Sequence, residues 1–264
     1  MLSDAEVSQF KHDGFLVKRG IIEQNYCATA RERLWDDPPP SLRKDDPNSW
    51  IGPIKPNEVS EDPDNFKKDY RWMYRKVGSE DWIVQGLPWH PFVQSTANQL
   101  LGKDRFTQRD RVRGIYCTLP RLKTDSQPRY MHIDDGQFTL GFVCYVDTVE
   151  PDGGGFAVWP GSHRRLFYTS HSRYRKESTD KYDRIRKEYD NSWETTSFQT
   201  HGEPGDIVIW HHRMAHMGSH NYSTNIRKAI LTDFSFKNIN QLAELPPGED
   251  MWEDWGDAVR DIEE

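Results

Sequence analysis

The sequence predicts a mainly β fold with flanking helices, an antiparallel sandwich or jelly roll. Two observations predict it. From Arg109 onward, short apolar runs and period-two alternation recur at Val112 to Leu119, Phe138 to Val146, Phe156 to Trp159, Ile207 to Trp210 and Ala229 to Phe236. Turn-forming residues separate those runs, notably Pro151-Asp152-Gly153-Gly154-Gly155, Pro160-Gly161 and Glu203-Pro204-Gly205-Asp206. Helix signals gather before Arg109 instead. The 264 residues are therefore expected to form one domain, with a helical N-terminal part and candidate lid loop over 1–108, a β core over 109–237 and an acidic tail over 238–264.

The elements follow from local pattern. Ser3-Asp4-Ala5-Glu6 matches a capping box with Leu2 placed as its hydrophobic staple, so a short helix opens the chain and Gly14 ends it. Phe15-Leu16-Val17 reads as a short strand and Asn25 to Trp35 as a second helix. Between Asp36 and Asp69 seven prolines and many charges predict a long loop with neither helix nor strand. Pro91 and Gly102 bracket another helix. Residues 172–190, rich in charge, read as an inserted solvated helix, and the tail carrying Trp252 and Trp255 as an amphipathic helix, docked or frayed.

Composition excludes some partners. A net charge of -7 provides no basic face for a phosphate backbone, so nucleic acid is not expected. No apolar run approaches the roughly 18 residues of a membrane span, and the N-terminus is acidic, which together predict an untargeted cytoplasmic protein, monomer or homodimer. Cys27, Cys117 and Cys144 are odd in number and form no Cys-x-x-Cys pair, as in a reducing compartment.

In a chain with ten histidines, chance alone supplies about one His-x-Asp pair, so His132-Ile133-Asp134 gains weight only from its place. It precedes the run Phe138 to Val146, and in an extended segment positions 132 and 134 share one face. A third ligand must come from another strand, and His216 follows the run Asp206 to Trp210. Two imidazoles and one carboxylate leave coordination positions open, the set used by non-haem iron(II) oxygenases. Arg227, beyond His216, opens an apolar strand, and its planar fork suits the far carboxylate of a dicarboxylate that chelates the metal by its near end. Taken singly, each has a commoner role in a core or a surface ion pair.

Asp13-Gly14-Phe15-Leu16-Val17, His132-x-Asp134, Gly155 to His163 with its Pro-Gly-Ser-His turn, and Pro204-Gly205-Asp206 leading to His216 and Arg227 together resemble the phytanoyl-CoA dioxygenase family. The resemblance runs in order over nearly the whole chain. It implies a double-stranded β-helix (jelly roll, cupin-like) in which His132, Asp134 and His216 bind iron(II). It implies that Arg227 binds 2-oxoglutarate and that dioxygen is consumed with release of succinate and carbon dioxide. The retained Asp134 implies hydroxylation rather than halogenation, because halogenating relatives carry a small residue there.

One place departs from the family: two residues after the distal histidine, where a serine is common, stands Gly218. Candidates for supporting contacts to 2-oxoglutarate are Gln127, Thr139 and Ser219, with Arg111, Arg113, Tyr116 and Thr118 on a neighbouring strand; His220 could approach it. Arg113, Tyr116, Trp159 and Trp210 are candidate pocket residues, and Trp50, Trp72 and Tyr74 candidate aromatic walls. His163 is read as a turn residue, and His211 and His212 as surface or metal-supporting groups rather than ligands. The expected substrate is a small metabolite or natural-product intermediate hydroxylated at an unactivated C–H. Desaturation, cyclisation or epimerisation with the same cofactors is the alternative. A catalytically inactive, ligand-binding jelly roll is the alternative of another class, and it would be expected to lack at least one of the four site residues.

Overall fold

The computed structural model describes residues 1–125 and 130–263. Helix α1 (Asp4–Asp13) opens with the reciprocal Ser3 and Glu6 capping box and ends at Gly14, in the left-handed region at φ 80°. Strand β1 (Phe15–Lys18) and helix α2 (Gln24–Leu34) follow. A hairpin of β2 (Asn65–Lys68) and β3 (Arg71–Tyr74) precedes α3 (Asp81–Gly86) and α4 (Pro91–Leu101), the latter with Pro91 in its first turn. The strands β4 (Gly114–Thr118), β5 (Leu140–Tyr145) and β6 (Phe156–Val158) lead to α5 (Ser162–Phe167), α6 (Asp180–Asn191) and α7 (Trp193–Thr196). The chain continues through β7 (Phe198–Gln199), β8 (Ile207–His211), β9 (His216–Gly218) and β10 (Arg227–Phe234) to the short turns α8 (Ile239–Leu242) and α9 (Asp257–Arg260).

Seven strands form one antiparallel sheet in the order β1-β8-β5-β10-β4-β3-β2, and three form a smaller one in the order β7-β6-β9. The two sheets make the jelly roll. Because side chains alternate along a strand, the large sheet buries two sets of residues. Val143, Tyr145, Val208, Trp210 and Ala229 face Phe156 and Val158 of the small sheet. On the opposite face, Leu140, Phe142, Ile207, Ile209, Ile230 and Phe234 pack against the N-terminal helices. Ala157 and Met217, on the outer face of the small sheet, meet Leu166 of α5 and Tyr182 and Ile185 of α6.

Several expectations change. The segment 36–69 is not free of strand, since β2 lies within it as the edge of the large sheet. Its charged residues hide that pattern: Lys67 is buried because its ammonium meets Asp37 at 3.1 Å, and Asn65 accepts from the indole N–H of buried Trp72 at 2.9 Å. The helix at 180–191 is not wholly solvated, since it buries Tyr182 and Ile185. The tail forms no long helix; Trp252 and Trp255 are nevertheless buried, both against Phe10. Trp159 lies in the cluster outside the small sheet, edge-on to Trp193, and so is not a pocket wall. Trp72 and Tyr74 likewise belong to the helix-side core.

Neither surface nor metal takes His211 and His212. Both are buried, the His211 ring stacked on Trp255 and the His212 ring on Tyr174. His163 joins them, its Nε2 donating to the Lys11 carbonyl at 3.2 Å. Burial pushes His163 down to about 3, Arg164 adding to the effect, and pushes His211 and His212 well below their ordinary range. Unfolded, these rings take up protons near 6.5, so the unfolded state binds more protons below that pH. Stability is therefore expected to fall as pH drops through 6.5 and toward 3, read as a lower urea midpoint at pH 5 than at pH 7; equal midpoints would contradict it.

A second expected outcome concerns Gly141, which faces Trp210 across the β5–β8 ladder. A Cβ there would lie 2.2 Å from the indole, whose ring is fully buried. Gly141→Ala should cost about 1–3 kcal/mol by overpacking, lowering the thermal midpoint by roughly 2–4 °C per kcal/mol.

Candidate metal centre

His132 and His216 sit opposite each other in an isolated antiparallel bridge, exchanging both main-chain hydrogen bonds at 3.1 and 2.9 Å. That bridge joins the segment before β5 to the start of β9 and fixes the two rings 4.5 Å apart. Asp134, two residues beyond His132 on the same face, completes the group: one ligand atom from each of the three lies within 4.8 Å of the others. Asp134 Oδ1 stands 3.4 Å from His216 Nε2 and 3.9 Å from His132 Nε2.

Hydrogen bonds set the ring tautomers. His132 Nδ1 is 3.2 Å from the Tyr130 carbonyl and His216 Nδ1 is 2.9 Å from the Met214 carbonyl. A carbonyl only accepts, so each Nδ1 donates and each Nε2 is the nitrogen turned to the shared centre, the one available to a metal. Desolvation, with the His216 ring beside it, holds His132 down to about 4, so it is neutral at physiological pH. Burial would raise Asp134, but His216 and Arg113 outweigh it and keep the carboxylate well below its usual range. Two imidazoles and one carboxylate on one side of a site are the donor set that fits iron(II). The His216 ring stacks on Phe156 at 5.0 Å, and Trp210 lies 6.0 Å away, so the inner wall is apolar.

Arg227 begins β10 on the inner face, opposite Thr118 of β4. Its Nε donates to the Gly154 carbonyl at 2.9 Å and its Nη1 to the Tyr116 carbonyl at 3.2 Å. Among the described residues no carboxylate lies within ion-pair distance of this buried guanidinium, and burial lowers its affinity for the proton. A buried cation held by two neutral carbonyls is suited to an anionic ligand. Gly218 faces it: a Cβ there would stand 3.1 Å from Arg227 Nη2 and 3.9 Å from the Thr118 hydroxyl. Thr118 is thus the hydroxyl beside the place where the family often has a serine.

The other candidates are distributed unevenly. The Ser219 hydroxyl is buried and unpartnered among the described residues, while its N–H donates to the Gly155 carbonyl. Thr139 is occupied elsewhere, its hydroxyl accepting from the Phe236 N–H at 3.4 Å. Tyr116 accepts at its phenol oxygen from Arg75 Nε at 3.1 Å. His220 Nδ1 meets the Tyr222 hydroxyl at 3.2 Å. Gln127 lies outside the described residues. Arg113 is taken by Asp134 and Asp233, each at 2.7 Å, and so is not open to a substrate anion. What the sequence did not single out is Asp233, which faces a cavity of about 250 Å³ beside Asp134, lined also by Asp135, Gln137 and Phe138.

Fold and site together define a cupin-type non-haem iron(II) and 2-oxoglutarate-dependent dioxygenase, an oxidoreductase. The model of the phytanoyl-CoA dioxygenase (PhyH) family matches residues 10–229, and the chain belongs to that family. Solved structures share the fold, among them the following three. The non-heme alpha ketoglutarate dependent carbocyclase SnoK from nogalamycin biosynthesis has 16% identity and a TM-score of 0.50, covering 94% of this chain and 93% of its own. HygX from Streptomyces hygroscopicus, with nickel and 2-oxoglutarate bound, has 12% identity and a TM-score of 0.57, covering 90% and 88%. AviO1 from Streptomyces viridochromogenes Tue57 has 16% identity and a TM-score of 0.52, covering 90% and 96%. No curated protein sequence matches significantly. Among the described residues no helix is long and apolar enough to cross a membrane.

Proposed function

We propose that His132, Asp134 and His216 hold iron(II), that Arg227 and Thr118 hold the far carboxylate of 2-oxoglutarate, and that the enzyme hydroxylates a small polar metabolite or natural-product intermediate. The observation that carries this is the convergence of the three ligand atoms with a buried arginine lacking a carboxylate partner among the described residues. Iron(II) with 2-oxoglutarate supplies, when bound, oxidation by dioxygen coupled to loss of carbon dioxide and formation of succinate. The chain's own contribution is placement. The Nδ1–H bonds hold both imidazoles with Nε2 forward, and Phe156 and Trp210 exclude water from the inner side of the site.

The cavity beside Asp134 supports a small substrate. Its volume of about 250 Å³ is below the roughly 300–1,000 Å³ of drug-sized ligand pockets, and Phe138 shares its lining with charged and polar residues. One structural neighbour is described as a carbocyclase, which supports ring closure as the second reading. A panel of hydroxylated small metabolites and natural-product precursors, incubated with iron(II), 2-oxoglutarate and dioxygen, tests the reading. The expected product gains one oxygen atom, with one succinate formed per turnover. A product lighter by two hydrogens with no oxygen gained would instead establish desaturation or cyclisation. Absence of succinate above the metal-free control across such a panel would count against hydroxylation of this substrate class.

A further inference from the structure

The charged chain behind Asp134 has a use that neither the family nor the ligand set assigns. Asp134 turns Oδ1 toward the two imidazoles, while its Oδ2 receives Arg113 Nη1 at 2.7 Å. Arg113 does not depend on that bond for its position. Its Nε donates to Asp233 Oδ2 at 2.7 Å, and its guanidinium lies 5.0 Å over the Phe138 ring. Asp233 is gripped in turn by Arg109, whose Nη2 meets Oδ1 and whose Nε donates to the Asp233 carbonyl at 2.7 Å. Arg109 also reaches the Ser235 hydroxyl at 3.0 Å. An arginine–aspartate–arginine chain, with Asp233 on β10 between two arginines from the segment before β4, therefore ends on one oxygen of a candidate metal ligand.

We propose that Arg113 is a positioning residue: by occupying Oδ2 it limits Asp134 to one metal-facing oxygen and keeps a coordination position open. This rests on the iron and 2-oxoglutarate reading above. The physical reason is a count of positions. Three protein ligands and a chelating 2-oxo acid leave a single place on an octahedral ion, and a carboxylate binding through both oxygens would fill it. A fork of fixed N–H directions, clamped from behind, prevents that rotation better than water would.

Arg113→Gln, Arg113→Lys and Asp233→Asn test it, with near-UV circular dichroism to verify the fold. The first readout is nickel(II) affinity of the apoprotein by calorimetry, without 2-oxoglutarate; the second is the ligand-field spectrum of the iron(II) protein. Arg113→Gln, which frees Oδ2 as a second donor, should tighten nickel(II) binding by about 10-fold and shift the ligand-field bands. Arg113→Lys, which returns one charged donor to Oδ2, should bring both most of the way back to wild type. Asp233→Asn, which loosens the clamp but spares the Arg113–Asp134 bond, should fall between. In turnover, kcat should drop in Arg113→Gln while the KM for 2-oxoglutarate stays at the wild-type value.

Wild-type nickel(II) affinity and unshifted bands in folded Arg113→Gln would overturn the proposal. So would weaker nickel(II) binding in Arg113→Gln, or equal changes in the Gln and Lys variants. If Arg113→Gln does not fold, the Lys and Asn variants decide: unchanged spectra in Asp233→Asn beside a strong change in Arg113→Lys would overturn it. A wild-type protein that binds nickel(II) but not 2-oxoglutarate would refute the functional reading alone, because the first readout uses the metal by itself.

Discussion

Replacing His216 with alanine is expected to remove metal binding while leaving the fold intact. The bridge that fixes His216 to His132 is made by main-chain atoms, which alanine keeps. What is lost is the Nε2 lone pair, aimed by the Met214 carbonyl at a point shared with Asp134 and His132. Two donors from one segment cannot hold a divalent ion as three do. The loss should exceed the roughly 10–100-fold typical of changing a group that merely supports a ligand. Nickel(II) calorimetry measures it, and near-UV circular dichroism of the surrounding Phe156 and Trp210 reports whether the pocket survives. Unaltered nickel(II) affinity in the variant would remove His216 from the site.

Arg227→Ala is expected to act on the other partner. Wild-type Arg227 is buried, held by the Gly154 and Tyr116 carbonyls, and without a carboxylate partner among the described residues. Hydrogen bonds to a charged group contribute about 1.5–3 kcal/mol each, so losing a two-bond grip on a carboxylate should weaken 2-oxoglutarate binding about 100-fold or more. Metal affinity should not change. Arg227→Lys should restore only part, since an ammonium cannot match a planar carboxylate with two parallel bonds. An unchanged KM for 2-oxoglutarate in Arg227→Ala would place the cosubstrate elsewhere.

Much of this was legible in the sequence because it is written in backbone chemistry. The motifs at 13–17 and 160–163 proved to be parts of one contact: Gly161 N–H donates to the Asp13 carbonyl at 2.8 Å, and a Cβ at Gly14 would collide with the His163 ring at 2.4 Å. Gly14, at φ 80°, therefore both ends α1 and lets the ring approach. Asp206 similarly pins β1 to β8, accepting from Gly20 N–H at 2.8 Å and Glu203 N–H at 2.9 Å. The side chains of His132, Asp134 and His216 come together as period-two alternation and the order of strands predict.

What pattern could not show depends on pairs distant in sequence. Arg113 read as a pocket residue and does line the cavity beside Asp134, but nothing near it in sequence indicates that its guanidinium is already paired with Asp134 and Asp233. The β2 strand was hidden because Lys67 contradicts an apolar alternation unless Asp37 is known to lie against it. His211 and His212 gave no sign of burial, since the Trp255 and Tyr174 rings that cover them come from remote segments. Thr118 stood in the sequence only as one of several candidates; its register opposite Arg227 singles it out.

The most direct test is an anaerobic titration of the apoprotein with iron(II) and then 2-oxoglutarate, followed in the visible range. A charge-transfer band should grow to saturation at one equivalent of each, be absent from His216→Ala, and require far more 2-oxoglutarate in Arg227→Ala. Folded, iron-loaded wild-type protein that develops no such band, or a His216→Ala variant that develops it unchanged, would contradict the account.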